Sequence, residues 1–160
     1  MKHSLEAEFQ LVDHYVEDLS IKNSITALHD EDGRIIKAID IYHVGVDLSK
    51  THHIGELGLS LHFVCQKKGA TKEKIAVKMK IIGQFMARVS DSMSADKFKQ
   101  MLFGSGTAAL YSVSRAIIAT TTAQCLSSGQ VRIPMINVLE FLASQMEEAE
   151  EMEKEEGNKS

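Results

Sequence analysis

Proline is nearly missing from this chain: Pro134 is the only one in 160 residues. The segments on either side of it are free to run as long regular elements. Cysteine is scarce too. Cys65 and Cys125 lie far apart inside apolar patterns, which points to two buried thiols in a reducing compartment and away from a disulfide framework. No apolar run approaches the roughly 18 residues that cross a bilayer. The N-terminal MKHSLEAEFQ has no apolar stretch, so no signal peptide is expected. Excess charge is lacking as well: a net charge of −4 gives no support for a nucleic-acid or anionic-membrane surface. A soluble cytoplasmic protein is expected, with no nucleic-acid partner and no membrane insertion.

Catalytic signatures are also wanting. The GSG at Gly104 lacks the further glycine and lysine of a phosphate-binding loop. No serine sits in a G-x-S-x-G elbow, and Cys125 reads as packing inside an apolar helix. The seven histidines contain no H-E-x-x-H and no i, i+4 pair. His52 and His53 are expected in a loop, and adjacent residues of an extended chain point to opposite sides, so the pair does not converge on one ion. No metal, no cofactor and no enzymatic activity are expected.

What the chain does contain is a long, nearly uncharged helix pattern. From Thr107 to Ser128 only Arg115 is charged, and Leu110, Val113 and Ile117 recur at spacings of three and four. A helix so poor in charge is expected to be covered on more than one side. Gly129 suits a C-terminal cap. After Pro134, Asn137 with Glu140 three residues on has capping-box spacing and predicts a last helix with Val138, Leu142, Met146 and Ala149 along its stripe. From Glu147 the chain is dominated by glutamate. The division expected is a domain over residues 1–146 and an acidic helix end and tail over 147–160, either a solvated end or a docking segment for a basic partner.

Upstream, the periodicity is that of strands. Phe9 to Ile21 carries apolar residues on both sides: Phe9, Leu11, Tyr15, Leu19 and Ile21 on one, Val12 and Val16 on the other. Asp32-Gly33 predicts a turn. In Ile35 to Leu48 the alternation changes phase. Ile39 and Ile41 point one way and Val44, Val46 and Leu48 the other, which requires a bulge or break near His43. Leu57 to Cys65 and Ile75 to Ile81 alternate cleanly across a link containing Gly69, an antiparallel hairpin. Ala95 to Phe103 predicts a short helix with Phe98 and Leu102 inward. Four strands followed by helices make an α+β fold, a four-stranded antiparallel sheet with a long helix and a C-terminal helix on one face. So few helices leave apolar area for a partner.

The stretch LYSVSRAIIATTTAQCLSSGQVRIPMINV resembles the SecB-like export chaperones. Leu110, Tyr111, Arg115, Ile118, Pro134, Ile136 and Asn137 fall on that family's pattern, and Asp18 in YVEDLSI falls on an acid of its first strand. The resemblance covers the chain from about Phe9 to Gln145. Ser112 and Val113 replace a proline and a tyrosine, the Gly129 turn comes late, and the aromatic-proline pair after the turn glycine is absent. These departures fit the wider branch, some members of which serve toxin–antitoxin systems. The resemblance implies ATP-independent holding of unfolded or precursor polypeptides, for export or for one dedicated client, by a homotetramer built as a dimer of dimers. It also implies the translocase motor SecA as a partner through Asp18. Lys22 stands where export members carry a second acid, and a reversed charge weakens that contact. For client binding, the expected residues are Val44, Val46 and Leu48, sent away from the core by the phase change, followed by Phe103 and Tyr111.

Overall fold

The structure, a computed structural model, describes residues 7–24, 28–144 and 146–147. Strands β1 (Phe9–Asn23), β2 (Gly33–Leu48), β3 (His52–Gln66) and β4 (Glu73–Arg88) form one antiparallel sheet in the order β1-β4-β3-β2. The expected hairpin is β3–β4, at the centre. β1 and β2 are the edges. The clean alternation of the two central strands buries Leu57, Leu59, Leu61 and Phe63 with Ile75, Val77, Met79 and Ile81 against the helices. The opposite face of the sheet bears no helix of the described chain and is called the open face below.

The helices follow β4 without leaving that side. Ser94 caps α1 (Ala95–Met101), its hydroxyl accepting from the Lys97 N–H. Phe98 and Leu102 point inward as expected. The helical backbone continues through a π turn (Leu102–Gly106) into α2 (Thr107–Cys125). Gly83 in β4 makes this approach possible, since a Cβ there would lie 2.6 Å from Leu110 Cδ2. Beyond α2, residues 126–137 form no strand and run back along the helix. The Val131 N–H donates to Thr122 Oγ1 at 2.8 Å, Arg115 Nε to the Ile133 carbonyl at 2.9 Å, and the Tyr111 hydroxyl to the Pro134 carbonyl at 2.7 Å. Asn137 then caps a C-terminal helix, helical at residues 138–144 and 146–147, with its Oδ1 accepting from the Glu140 N–H. Most of the expected acidic tail, from residue 148 onward, lies outside the described residues.

Both edge strands carry β-bulges. Val12 and Glu17 are the unmatched residues of β1, and Lys37 and Tyr42 those of β2. Each bulge reverses the parity of the residues beyond it, so strict alternation misassigns them. Val16 lies opposite Ile81 on the helix side, and Tyr15 opposite Ile82 on the open face, the reverse of the sequence expectation. The bulge expected near His43 is present at Tyr42, but its consequence is opposite to the one expected. Val44, Val46 and Leu48 pair with Leu57, Gly55 and His53, as Ile39 and Ile41 pair with Leu61 and Leu59. All five therefore share the helix side, and the bulge absorbs the phase change.

Two smaller expectations are corrected. Cys65 is buried, and burial pushes its thiol pKa up, but Cys125 is exposed. The helix ends there, and Leu126 takes the buried position as the chain turns extended. His52 and His53 open β3 and are not in a loop. His53 is buried beside the Phe98 ring, centroids 5.5 Å apart, and the turn falls at 49–51.

Candidate functional site

The helices cover the sheet unevenly. α2 packs over the centre, which leaves β2 only partly covered along its helix side. Between β2 and the C-terminal helix lies an open cavity of about 640 Å³. Its floor is Asp40, Ile41 and Val44 of β2. Phe103 stands at one side, and Leu139, Leu142, Ala143 and Met146 form the far wall. Val44 is 42% exposed, Phe103 46% and Leu139 47%. Asp40 is the one charged residue of the lining, but it pairs with Ser60, so its side chain points to the open face.

Each wall has a local cause. The Tyr42 bulge rotates Val44 to the helix side. The π turn holds Phe103 outward while Leu102 is buried, and the Thr107 hydroxyl, donating to the Phe103 carbonyl, satisfies a backbone oxygen that the widened turn displaces. The last helix carries a broad apolar band. Its Val138 enters the main core, and Leu139 and Met146 face the cavity. The cavity opens along β2, whose outer edge has no neighbouring strand among the described residues. Such an edge presents unpaired backbone N–H and C=O groups. An apolar trough beside a free strand edge accommodates an extended peptide, whose backbone pairs with the edge while alternate side chains enter the trough.

Of the residues expected to bind clients, Val44 and Phe103 meet in this cavity. Val46 and Leu48 lie further along the same face of β2, exposed but outside it. Tyr111 is a correction. It is 3% exposed, inside the core cluster, with its hydroxyl committed to Pro134 and its pKa raised by burial. An aromatic on the buried stripe of α2 is available to the core and not to a client. Ile41, Asp40 and the residues from the last helix were not anticipated. Their signal was Leu139 beside the Val138–Leu142 stripe, an apolar band wider than one packing face needs.

Asp18 and Lys22 lie elsewhere, on the open face, opposite Lys80 and Ala76. Lys78 shares that face, opposite Ser20. Among the described residues no group of three or more His, Cys, Asp or Glu is placed to hold a metal ion, and no helix is long and apolar enough to cross a membrane.

No family model and no curated protein matches the chain. Among solved structures it is similar to the Mycobacterium tuberculosis Rv1957 SecB-like chaperone in complex with a ChAD peptide from the Rv1956 HigA1 antitoxin. The TM-score is 0.55 at 15% sequence identity, over 81% of this chain and 91% of that one. The fold is SecB-like. The SecB-like arrangement accounts for the element order, four strands followed by a long helix and a C-terminal helix.

Proposed function

We propose that this protein is a cytoplasmic, ATP-independent chaperone that binds extended apolar segments of unfolded polypeptides in the groove between β2 and the C-terminal helix. One observation carries the reading: a cavity of about 640 Å³, almost wholly apolar, lies open beside a strand edge that no other described strand pairs with. Its lining offers no nucleophile, no acid–base pair and no phosphate cradle, which supports a binding role and not an enzymatic one. A homotetramer, as a dimer of dimers, belongs to the same proposal. The outward face of α2 carries Ala108, Ser112, Ala116, Thr120 and Ala123, all exposed and uncharged, and suits packing against another copy.

The role of a dedicated chaperone for one client is favoured over general export. The structural neighbour was solved with a peptide from a single antitoxin. The open face here sets Lys22, Lys78 and Lys80 beside Glu17 and Asp18, a mixed surface that offers a basic partner little net attraction. Docking of SecA through that face is therefore expected to be weak and salt-sensitive, and strengthened by Lys22→Glu.

The deciding experiment measures binding of reduced, carboxymethylated lactalbumin, a permanently unfolded chain, by wild type and Val44→Arg. Wild type binds without nucleotide and in EDTA, and Val44→Arg loses at least about tenfold in affinity with its melt unchanged, since a charge at the groove floor must be desolvated by an apolar client. Equal binding by both proteins would refute the groove. Identification of what co-purifies with the protein from its own cell separates one client from many.

A further inference from the structure

The groove depends on a feature that lies on the other side of the sheet. Val44 faces the cavity only because β2 holds an extra residue, Tyr42, between Ile41 and His43. Both Tyr42 and His43 then turn to the open face. A Cβ at Gly58 would lie 2.8 Å from His43 Cβ and 2.8 Å from Tyr42 Cζ, so the two side chains together fill the space above that glycine. From there the Tyr42 ring extends across the sheet. Lys80 Nζ of β4 lies 5.2 Å from its centroid, and its hydroxyl donates to Glu17 Oε2 of β1 at 2.9 Å. Glu17 is itself the extra residue of a β1 bulge. The bond thus joins the bulges of the two edge strands over both central ones.

We propose that Tyr42 is a positioning residue for the client groove, holding the β2 bulge that keeps Val44 on the groove side through its bond to Glu17. The inference rests on the groove reading above. A bulge in an edge strand is braced by one neighbour only. A slip of one residue would send Val44, Val46 and Leu48 to the open face. That slip moves the phenol away from Glu17 and Lys80 and empties the space over Gly58, so the side chain opposes it. Partial burial and the Glu17 carboxylate both push the Tyr42 pKa up, and the phenol remains a donor throughout the neutral range.

The test uses the full chain as wild type, Tyr42→Phe, Glu17→Ala, the double variant, Glu17→Gln and the groove reference Val44→Arg. Two quantities are read well below the melting temperature: affinity for reduced, carboxymethylated lactalbumin, and amide hydrogen exchange over residues 41–48. Tyr42→Phe and Glu17→Ala should each weaken binding about fivefold, the loss of one hydrogen bond to a charged group at a half-exposed site. The double variant should weaken it no further, because both changes remove the same bond. Glu17→Gln should bind as wild type, since its amide oxygen still accepts. Exchange over 41–48 should speed up in the first two variants and remain slow in β3 and β4. A merely structural role would lower the melting temperature and leave the affinity of the folded protein untouched. With Val44→Arg weakened as expected, that result, additive losses, or a Tyr42→Phe protein with wild-type binding and exchange would each overturn the proposal. Faster exchange with unchanged binding in every variant, Val44→Arg included, would uphold the latch and overturn the groove.

Discussion

Tyr42 and Glu17 are each the extra residue of a β-bulge, they lie on opposite edge strands, and their side chains are hydrogen-bonded at 2.9 Å. The bond crosses β3 and β4 on the open face and requires a residue without a side chain at position 58. Gly58→Ala is expected to destabilise the protein by about 1–3 kcal/mol, the usual range for forcing a methyl into filled space. Gly45→Ala on the same strand pair is the control, since its nearest neighbour would lie at 3.6 Å. Urea denaturation of both variants checks this, and equal midpoints would show that the Tyr42 ring moves aside at no cost.

Along β2, client binding is expected to fall off with distance from the cavity. Val44→Arg should cost more affinity than Val46→Arg, and Leu48→Arg least, because only Val44 lines the cavity. All three residues are about 40% exposed, so an arginine there leaves its head in water and the fold intact. A titration of the three variants with an unfolded chain gives the ranking. Loss of expression or of a cooperative melt would show that these residues are packed in the assembled protein.

Thr122 holds the end of α2 to the returning segment. Its hydroxyl donates to the Ile118 carbonyl at 2.7 Å and accepts from the Val131 N–H at 2.8 Å, all buried. Thr122→Val keeps the shape and leaves that N–H without a partner, at an expected cost of about 1–3 kcal/mol. Thr120→Val, on the exposed face of the helix, should be close to neutral. Thermal melts of the pair distinguish the lost bond from a general effect of valine in a helix.

Stability should fall on the acid side partly through Asp32. The His29 N–H at 2.7 Å and the Lys74 ammonium at 2.7 Å hold its carboxyl below the ordinary carboxylate pKa. A value lower in the folded than in the unfolded state means that the carboxylate favours folding. That contribution is complete above the unfolded pKa, about 3.9, and is lost as pH falls through the folded one. Asp32→Asn should be less stable at neutral pH and show a shallower loss below about pH 4. Urea midpoints across that range test the sign, and parallel curves for the two proteins would remove Asp32 from the acid transition.

The uncharged outer face of α2 predicts assembly. Light scattering on a size-exclusion column is expected to give the mass of a tetramer, and Ala116→Glu to reduce it with helical content retained. A carboxylate at the centre of a close-packed interface would be desolvated without a partner. A monomeric wild type at micromolar concentration would contradict the assembly.

Much of the architecture was readable from the chain because it depends on local regularity. Leu57 to Cys65 and Ile75 to Ile81 lie in the middle of the sheet, where a neighbour on each side enforces strict alternation, and both were assigned to the correct face. Phe98, Leu102 and the Asn137 cap followed from spacing and backbone chemistry over a few residues, whereas the turn expected at Asp32-Gly33 closes earlier, between His29 and Asp32, and Gly33 already opens β2. The edge strands resisted the same reading. An unmatched residue such as Glu17 or Tyr42 is accommodated most readily where one side of a strand is unpaired, and each one inverts the face of everything after it. The phase change at His43 was visible, but whether it sent Val44 away from the helices or restored it to their side depended on where the partner strand resumed its pairing. Composition and period thus determined an α+β fold with a low-charge helix. The groove was decided by tertiary structure alone, because it joins β2 to a helix nearly a hundred residues later, and because a register shift in the backbone, which no side-chain period encodes, chose which residues line it.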